Sequence, residues 1–418
     1  MELLDNPIRR YAWGSRTVIA GLQGRAVPSP HPEAELWLGA HPGNPSWLLG
    51  DDGTRLSLCD ELTRDPASRL GADNARRWSG KLPFLLKVLA ADEPLSLQAH
   101  PDTAAASAGF AREEAAGIPL DDPRRSYRDA NHKPELVCAL TEFHALTGFR
   151  EPSVTLELLA ELAVPELAAY VTLLAERPDS AGLRALLSTW MTLERQLLDE
   201  LVPAVRLACV ELLCRDGAGG SGSRFAAEAR TVLELSGRYP GDPGVLAALL
   251  LNRVTLAPGQ ALYHDEGVLH AYLSGACIEV MANSDNVLRG GLTPKHVDVA
   301  ELLRVVDFGS GPAPIVDGSV DGVLTRYDTV AEEFRLWRLD WTGPTAGDVV
   351  SLPEDGPRIL LCTGGTAKVS AGSGRSVQLR RGESLWLDAQ DIAVKVASVD
   401  GPAQLFLATD GLPDVPVN

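Results

Sequence analysis

A block rich in leucine, alanine and glutamate interrupts this chain, and it constrains the fold more than any other feature. Residues 154–213 repeat apolar positions at spacings of three and four, as in Leu156-Glu157-Leu158-Leu159-Ala160-Glu161-Leu162. That spacing paints one apolar stripe along a helix, and the stripe has to be buried. The helix is expected to break near Pro165, at Pro178-Asp179 and at Pro203. A flexible loop is expected at 216–223 (DGAGGSGS) and a further helix at 224–235. The flanks read differently. Glu35-Leu36-Trp37-Leu38 and the run 82–89 have the short, continuous apolar character of buried strands, and 59–79 looks helical. Strands return at 254–263, and 325–418 is almost all strand and turn, with glycine turns at 364–365, 372–374, 381–383 and 400–402. The expected fold is therefore mainly β with an α insertion. Its units are 1–150 joined to 246–324, a helical domain at 151–245, and a C-terminal antiparallel sandwich or jelly roll at 325–418.

Charge narrows the function. Net charge is −18, which argues against a nucleic-acid binder or an anionic-membrane binder, since both need a basic face. A local basic pocket for a small anion remains open. Only six of the 38 basic residues are lysine: 81, 87, 133, 295, 368 and 395. Lysine does what arginine cannot, because its pKa moves readily on burial. The six cysteines form no CxxC, which fits reduced thiols in a cytoplasm. No signal peptide and no membrane-spanning run is read from the sequence.

Three segments concentrate chemistry. In the first, Lys87 precedes Ser96-Leu97-Gln98-Ala99-His100-Pro101, where Gln98 and His100 share one face of an extended strand. The second is Tyr127-Arg128-Asp129-Ala130-Asn131-His132-Lys133-Pro134-Glu135. The third runs from Gly267 to Lys295 and holds His270, Glu279 and Arg289-Gly290-Gly291. A carboxylate such as Glu279 inside an apolar strand needs a partner. The glycines after Arg289 would let backbone approach a ligand. Each residue alone is better explained as structure. Together, Gln98, His100, Glu135 and His270 offer one N2O2 metal shell, and Lys87, Lys133, Arg289 and Lys295 an anion pocket. Three of the six lysines fall in these segments. The stretch after 325 has no histidine, so no His-bound metal belongs there.

At these residues the sequence closely resembles the type I phosphomannose isomerases, a cupin-fold family of zinc enzymes. The resemblance begins at Asn6-Pro7 and Tyr11-Ala12-Trp13-Gly14 and passes through Ala34-Glu35-Leu36-Trp37-Leu38-Gly39 and Leu82-Pro83-Phe84-Leu85-Leu86-Lys87. It continues through the first two segments above. It is most specific at Ser284-Asp285-Asn286-Val287-Leu288-Arg289-Gly290-Gly291-Leu292-Thr293-Pro294-Lys295. It implies one Zn2+ per chain on Gln98, His100, Glu135 and His270, with Arg289 in the active site. It also implies a split catalytic jelly roll, an inserted helical domain and a C-terminal cupin-like domain. One departure stands out: relatives often carry an apolar residue, Pro, Ala and Gly before the last ligand, where this chain has His264-Asp265-Glu266-Gly267. His264, His144 and His296 are read as non-ligands, and His132 as a residue that orients its neighbours.

The implied reaction interconverts mannose 6-phosphate and fructose 6-phosphate through a cis-enediol, linking glycolysis to mannose and GDP-mannose metabolism. Glu279 is the first choice of base, and Lys133 the second. Arg289 and Lys295 are expected to hold the phosphate or the oxyanion, Ser96 and Lys87 to assist, and Trp13 to wall the sugar. No macromolecular partner and no oligomer is required. Two other classes compete with this reading. An iron oxygenase using His100, His270 and Glu135 is disfavoured by Gln98 and the lysines. A silent sugar-phosphate sensor would bind without turnover.

Overall fold

The structure is a computed structural model that describes residues 1–217, 222–342, 348–353 and 356–411. It combines helices with large antiparallel sheets of eleven, nine and four strands. In the eleven-stranded sheet the organising element is the strand His270–Ala282. Its second half lies between Phe84–Ala91 and Glu135–Ala139, with Glu35–Leu38 beyond Phe84–Ala91. Its first half pairs with Phe143–Phe149 and touches Gln98–Ala99.

All eight residues of Phe84–Ala91 are buried, because both faces of the sheet are covered. Phe84, Leu86, Val88 and Ala90 pack with Leu136, Ile278 and Val280 in a core that also takes Leu336, Ile359, Trp386 and Phe406 from the nine-stranded sheet. The opposite face of the nine-stranded sheet packs through Leu339, Leu360, Leu385 and Leu407 on Val369, Leu379 and Val396 of the four-stranded one. The three sheets are thus layered, with the nine-stranded sheet in the middle. This explains why the strand at 82–89 is legible as a run that is apolar but for Lys87.

Across the central strands, residues of one parity share the other face. Glu35 and Trp37, Lys87 and Leu89, Glu135 and Val137, and Cys277 and Glu279 lie on it by strand register. His270 has the wrong parity for Glu279. The register shifts between Tyr272 and Ser274, a β-bulge, and the extra residue brings His270 and Tyr272 onto the same face as Glu279.

The segment 151–245 is helical, with elements including Pro152–Leu162, Ala168–Glu176, Ser180–Met191, Arg195–Gly217 and Ala226–Arg238. Their leucines pack on Leu146, Phe149, Leu251, Leu269 and Leu288. Breaks occur around Pro165 and before Ser180 as expected, but Pro203 does not interrupt its helix. Pro203 is exposed, so its ring projects into water, while Leu201, Val202, Val205, Cys209 and Leu212 hold the helix to the core. Of the loop expected at 216–223, residues 216 and 217 belong to the helix and 218–221 lie outside the described residues. The helical reading of 59–79 becomes three short helices, Leu58–Arg64, Pro66–Leu70 and Ala72–Arg77, divided at Pro66 and Gly71.

One pairing crosses the expected domain boundary. Glu2–Asp5 pairs with Ser384–Leu387 on one side and Trp47–Leu49 on the other, so three N-terminal strands extend the nine-stranded sheet. Nothing local in a four-residue strand announces a partner some 380 positions away.

Candidate metal centre

His100, Glu135 and His270 are fully buried and each offers a ligand atom, all within 4.8 Å of one another. His100 Nε2 is 3.3 Å from Glu135 Oε1, and His270 Nε2 is 3.4 Å from Glu135 Oε2. The far ring nitrogens are fixed. His100 Nδ1 is 2.8 Å from the Asn286 carbonyl and His270 Nδ1 2.8 Å from the Val268 carbonyl. A carbonyl only accepts, so both Nδ1 atoms carry the proton and both Nε2 lone pairs face the shared space. Among the described residues no hydrogen bond reaches the buried His100 Nε2. An orphaned lone pair beside a second one and a carboxylate is the donor set a divalent cation fits. Burial, with the Lys133 charge, pushes the His100 pKa down to about 4, so the ring stays available as a ligand.

Gln98 stands opposite both His270 and Arg289 in the strand pairing. Its Nε2 lies 3.4 Å from His270 Nε2, and turning the amide about its last bond brings Oε1 to the same place. Asn286 joins the three motifs. Besides holding His100, its Oδ1 accepts from the backbone N–H of Arg128, and its Nδ2 donates to the carbonyls of Asp129 and Asn131. The departing segment before His270 is tied down as well: Gly267 N–H donates to the His100 carbonyl at 2.8 Å. Gly267 has φ of 77°, and a Cβ there would meet the Val305 carbonyl at 2.9 Å.

Charged residues crowd the same face. Lys133 Nζ is 2.8 Å from Glu135 Oε1. Burial raises the Glu135 pKa, but the Lys133 charge outweighs it and holds the carboxylate well below its usual range. Lys87 Nζ lies 2.7 Å from Glu279 Oε2 and 3.8 Å from Glu35 Oε1. Burial pushes the Glu279 pKa up, partly offset by Lys87. Glu35 in turn accepts from Trp37 Nε1 at 2.9 Å.

Arg289 is half-buried and Lys295 exposed; among the described residues no carboxylate forms an ion pair with either. Burial lowers the pKa of both, and Arg128 adds like-charge repulsion. Arg128 is thus a third cation here that the sequence reading passes over; its adjacency to Arg289 depends on the Asn286 clamp. At Gly291 a Cβ would meet Asp242 Oδ1 at 2.6 Å and Gly244 at 2.9 Å, so the glycine lets the 242–244 turn pack close. Ser96 is half-buried beside Leu97, whose backbone pairs with Gly290 and Gly291. Trp13 stacks on Tyr11 and packs on the cluster containing Leu89, Val137 and Tyr272. Among the described residues no polar contact ties Ser96 or Trp13 to the three-ligand cluster. His264, which the sequence marks as a departure and a non-ligand, lies against His270, with Tyr272 beside it.

Comparison with known proteins bears on this arrangement. The family model described as phosphomannose isomerase type I, catalytic domain, matches residues 1–152. Mannose-6-phosphate isomerase of Escherichia coli (strain K12) is 37% identical over 400 residues, covering 95% of this chain and 97% of the relative. The enzyme of Bos taurus is 32% identical, with 92% of each chain covered. Among solved structures, a variant of phosphomannose isomerase from Salmonella typhimurium superposes with a TM-score of 0.88 at 34% identity, covering 99% of this chain and 100% of that one. A zinc-bound mannose 6-phosphate isomerase gives 0.86 at 34%, covering 98% and 99%.

Proposed function

Since the chain belongs to the type I phosphomannose isomerase family, we propose that it interconverts mannose 6-phosphate and fructose 6-phosphate through a cis-enediol, with one Zn2+ held by His100, Glu135, His270 and Gln98. The observation that carries this reading is the convergence of two Nε2 lone pairs and the Glu135 carboxylate, each fixed from behind. The zinc-bound relative supports the identity of the ion. Bound there, zinc supplies Lewis-acid polarisation of the sugar oxygens.

The protein groups do the rest. Glu279 takes the C2 proton of the open-chain aldose; the C–H electron pair forms the C1=C2 bond and the carbonyl pair moves onto O1, which takes up the proton that the C2 hydroxyl gives up. Glu279 returns its proton to C1 as O2 becomes the ketose carbonyl. A carboxylate with a raised pKa suits both halves of that transfer. Lys87 keeps Glu279 ionised enough to act as base. Lys133, bonded to Glu135, is the second choice for the proton carrier. Arg289 and Lys295, with no carboxylate paired to them among the described residues, receive the phosphate, and Ser96 and Trp13 line the sugar path.

The reading extends to the architecture. The catalytic unit is a cupin-type jelly roll drawn from 1–150 and 246–324, less the strands lent to the C-terminal sheet; 151–245 is the insertion and 325–418 a cupin-like domain. The chain works in the cytoplasm, where its six free cysteines stay reduced, and feeds mannose and GDP-mannose metabolism. It needs no nucleic-acid or membrane partner and no oligomer; among the described residues no helix is long and apolar enough to cross a membrane.

The test is a coupled assay for fructose 6-phosphate on metal-stripped protein, with zinc added back, alongside His270→Ala. Activity restored by zinc and absent in the variant is the expected result. Zinc-loaded protein without turnover would reject the isomerase reading and turn attention to a binding-only sensor.

A further inference from the structure

We infer that His264 is a positioning residue for the metal centre: it sets the Tyr272 hydroxyl to donate to Glu135 and braces the ring of His270. The inference rests on the metal reading above.

His264 is fully buried and stands directly opposite Glu135 in the strand pairing. Its Nδ1 lies 3.4 Å from Tyr272 Oη, and its Nε2 3.1 Å from Thr147 Oγ1. Tyr272 Oη is in turn 3.3 Å from Glu135 Oε2. The His264 ring lies against that of His270, with centroids 4.2 Å apart and planes within 12°.

The chemistry gives this chain a direction. An ionised carboxylate only accepts, so the single phenol proton of Tyr272 goes to Glu135. The phenol oxygen then offers only lone pairs toward His264, so His264 Nδ1 carries a proton and donates it. Thr147, at Nε2, fixes the ring from behind. Glu135 Oε2 is also the oxygen that faces His270 Nε2 at 3.4 Å. One residue therefore acts on two ligands at once, through a hydrogen-bonded relay on one and a stacked ring on the other. An apolar side chain of similar bulk would keep the packing and lose the donor, leaving the Tyr272 hydroxyl free to turn away from Glu135.

Groups behind metal ligands typically change metal affinity about 10–100-fold when removed. Zinc affinity is measured by competition with a chromophoric chelator for the wild type, His264→Phe, Tyr272→Phe and the double variant. His264→Phe keeps a stacked ring and removes the donor; Tyr272→Phe removes one oxygen. Each single variant is expected to bind zinc about tenfold more weakly, and the double variant no more weakly than the worse single. Zinc affinities within twofold of wild type in both singles, or a double-variant loss equal to the product of the single losses, would overturn the inference. If His264→Phe does not fold, Tyr272→Phe alone decides, with unchanged affinity overturning it. Wild-type protein that takes up no zinc overturns the metal reading, and this inference with it.

Discussion

Lys87 and Glu279 face each other across adjacent strands, Nζ to Oε2 at 2.7 Å, both buried on the sheet face that also carries Glu35 and Glu135. The pair is matched in register as well as in charge. Burial would drive both groups neutral; each holds the other ionised. Removing one partner of a buried pair typically costs about 3–5 kcal/mol. Lys87→Met should also push the Glu279 pKa further up, since Lys87 is what lowers it. The acid limb of the pH–rate profile should therefore shift to higher pH, with kcat reduced. An unshifted limb would remove Glu279 as the base that sets it.

In the metal-free protein two histidines should tilt stability in opposite senses with pH. His100 has a folded pKa of about 4, below the unfolded value of about 6.5. The unfolded chain takes up the proton first, so stability falls as pH drops from about 6.5 to 4, by roughly 1.4 kcal/mol per pH unit at most. His132 behaves in the opposite sense. Burial lowers its pKa, but Glu333 and Glu266 on either side raise it to about 9. Its contribution is complete below about pH 6.5 and lost as pH rises toward 9. Denaturant midpoints from pH 4 to 9 would show this, and Glu333→Gln should flatten only the alkaline side.

The cations at Arg289, Lys295 and Arg128 should matter through the phosphate. A hydrogen bond to a charged group contributes about 1.5–3 kcal/mol, so Arg289→Ala should lower kcat/KM by roughly 10- to 150-fold. Arg128→Ala should raise KM with a smaller effect on kcat. Direct phosphate titration, followed by protection against thermal unfolding, checks both; equal protection in wild type and Arg289→Ala would place the phosphate elsewhere.

Pro203→Ala should stabilise the helical segment. Proline inside a helix forgoes one backbone hydrogen bond and is about 3 kcal/mol less favourable than alanine. Pro203 is exposed, so the substitution opens no cavity. A thermal midpoint no higher than wild type would mean the helix has already relaxed around the ring.

What could be read in the sequence follows from what is local. Phe84–Ala91 is visible because burial on both faces leaves no polar position in it except Lys87. His100, Glu135 and His270 stand out because each sits in a dense polar motif beside an apolar strand. The bulge at Tyr272–Ser274 is silent, since one additional residue in a strand carries no compositional mark, yet it decides that His270 shares the face of Glu279. Pro203 misleads because sequence does not say which side of a helix meets water. Gly291 has a packing role that is equally silent: its missing side chain makes room for Gly244, 47 positions earlier. Arg128 escapes because its role comes from neighbours distant in sequence; His264 is visible as a departure, but its contacts with Thr147 and His270 are not.

The strand Glu2–Asp5, wedged between Trp47–Leu49 and Ser384–Leu387, has a consequence in time. Leu3 pairs with Leu385. A ribosome adds about 5–20 residues per second, so Leu3 waits on the order of tens of seconds for that partner. Meanwhile its far edge is an open row of backbone donors and acceptors, the kind of edge that recruits stray strands. Assembly of the nine-stranded sheet is thus a late event in synthesis, and nascent chains halted before Ser384 should be the ones that lean on chaperones.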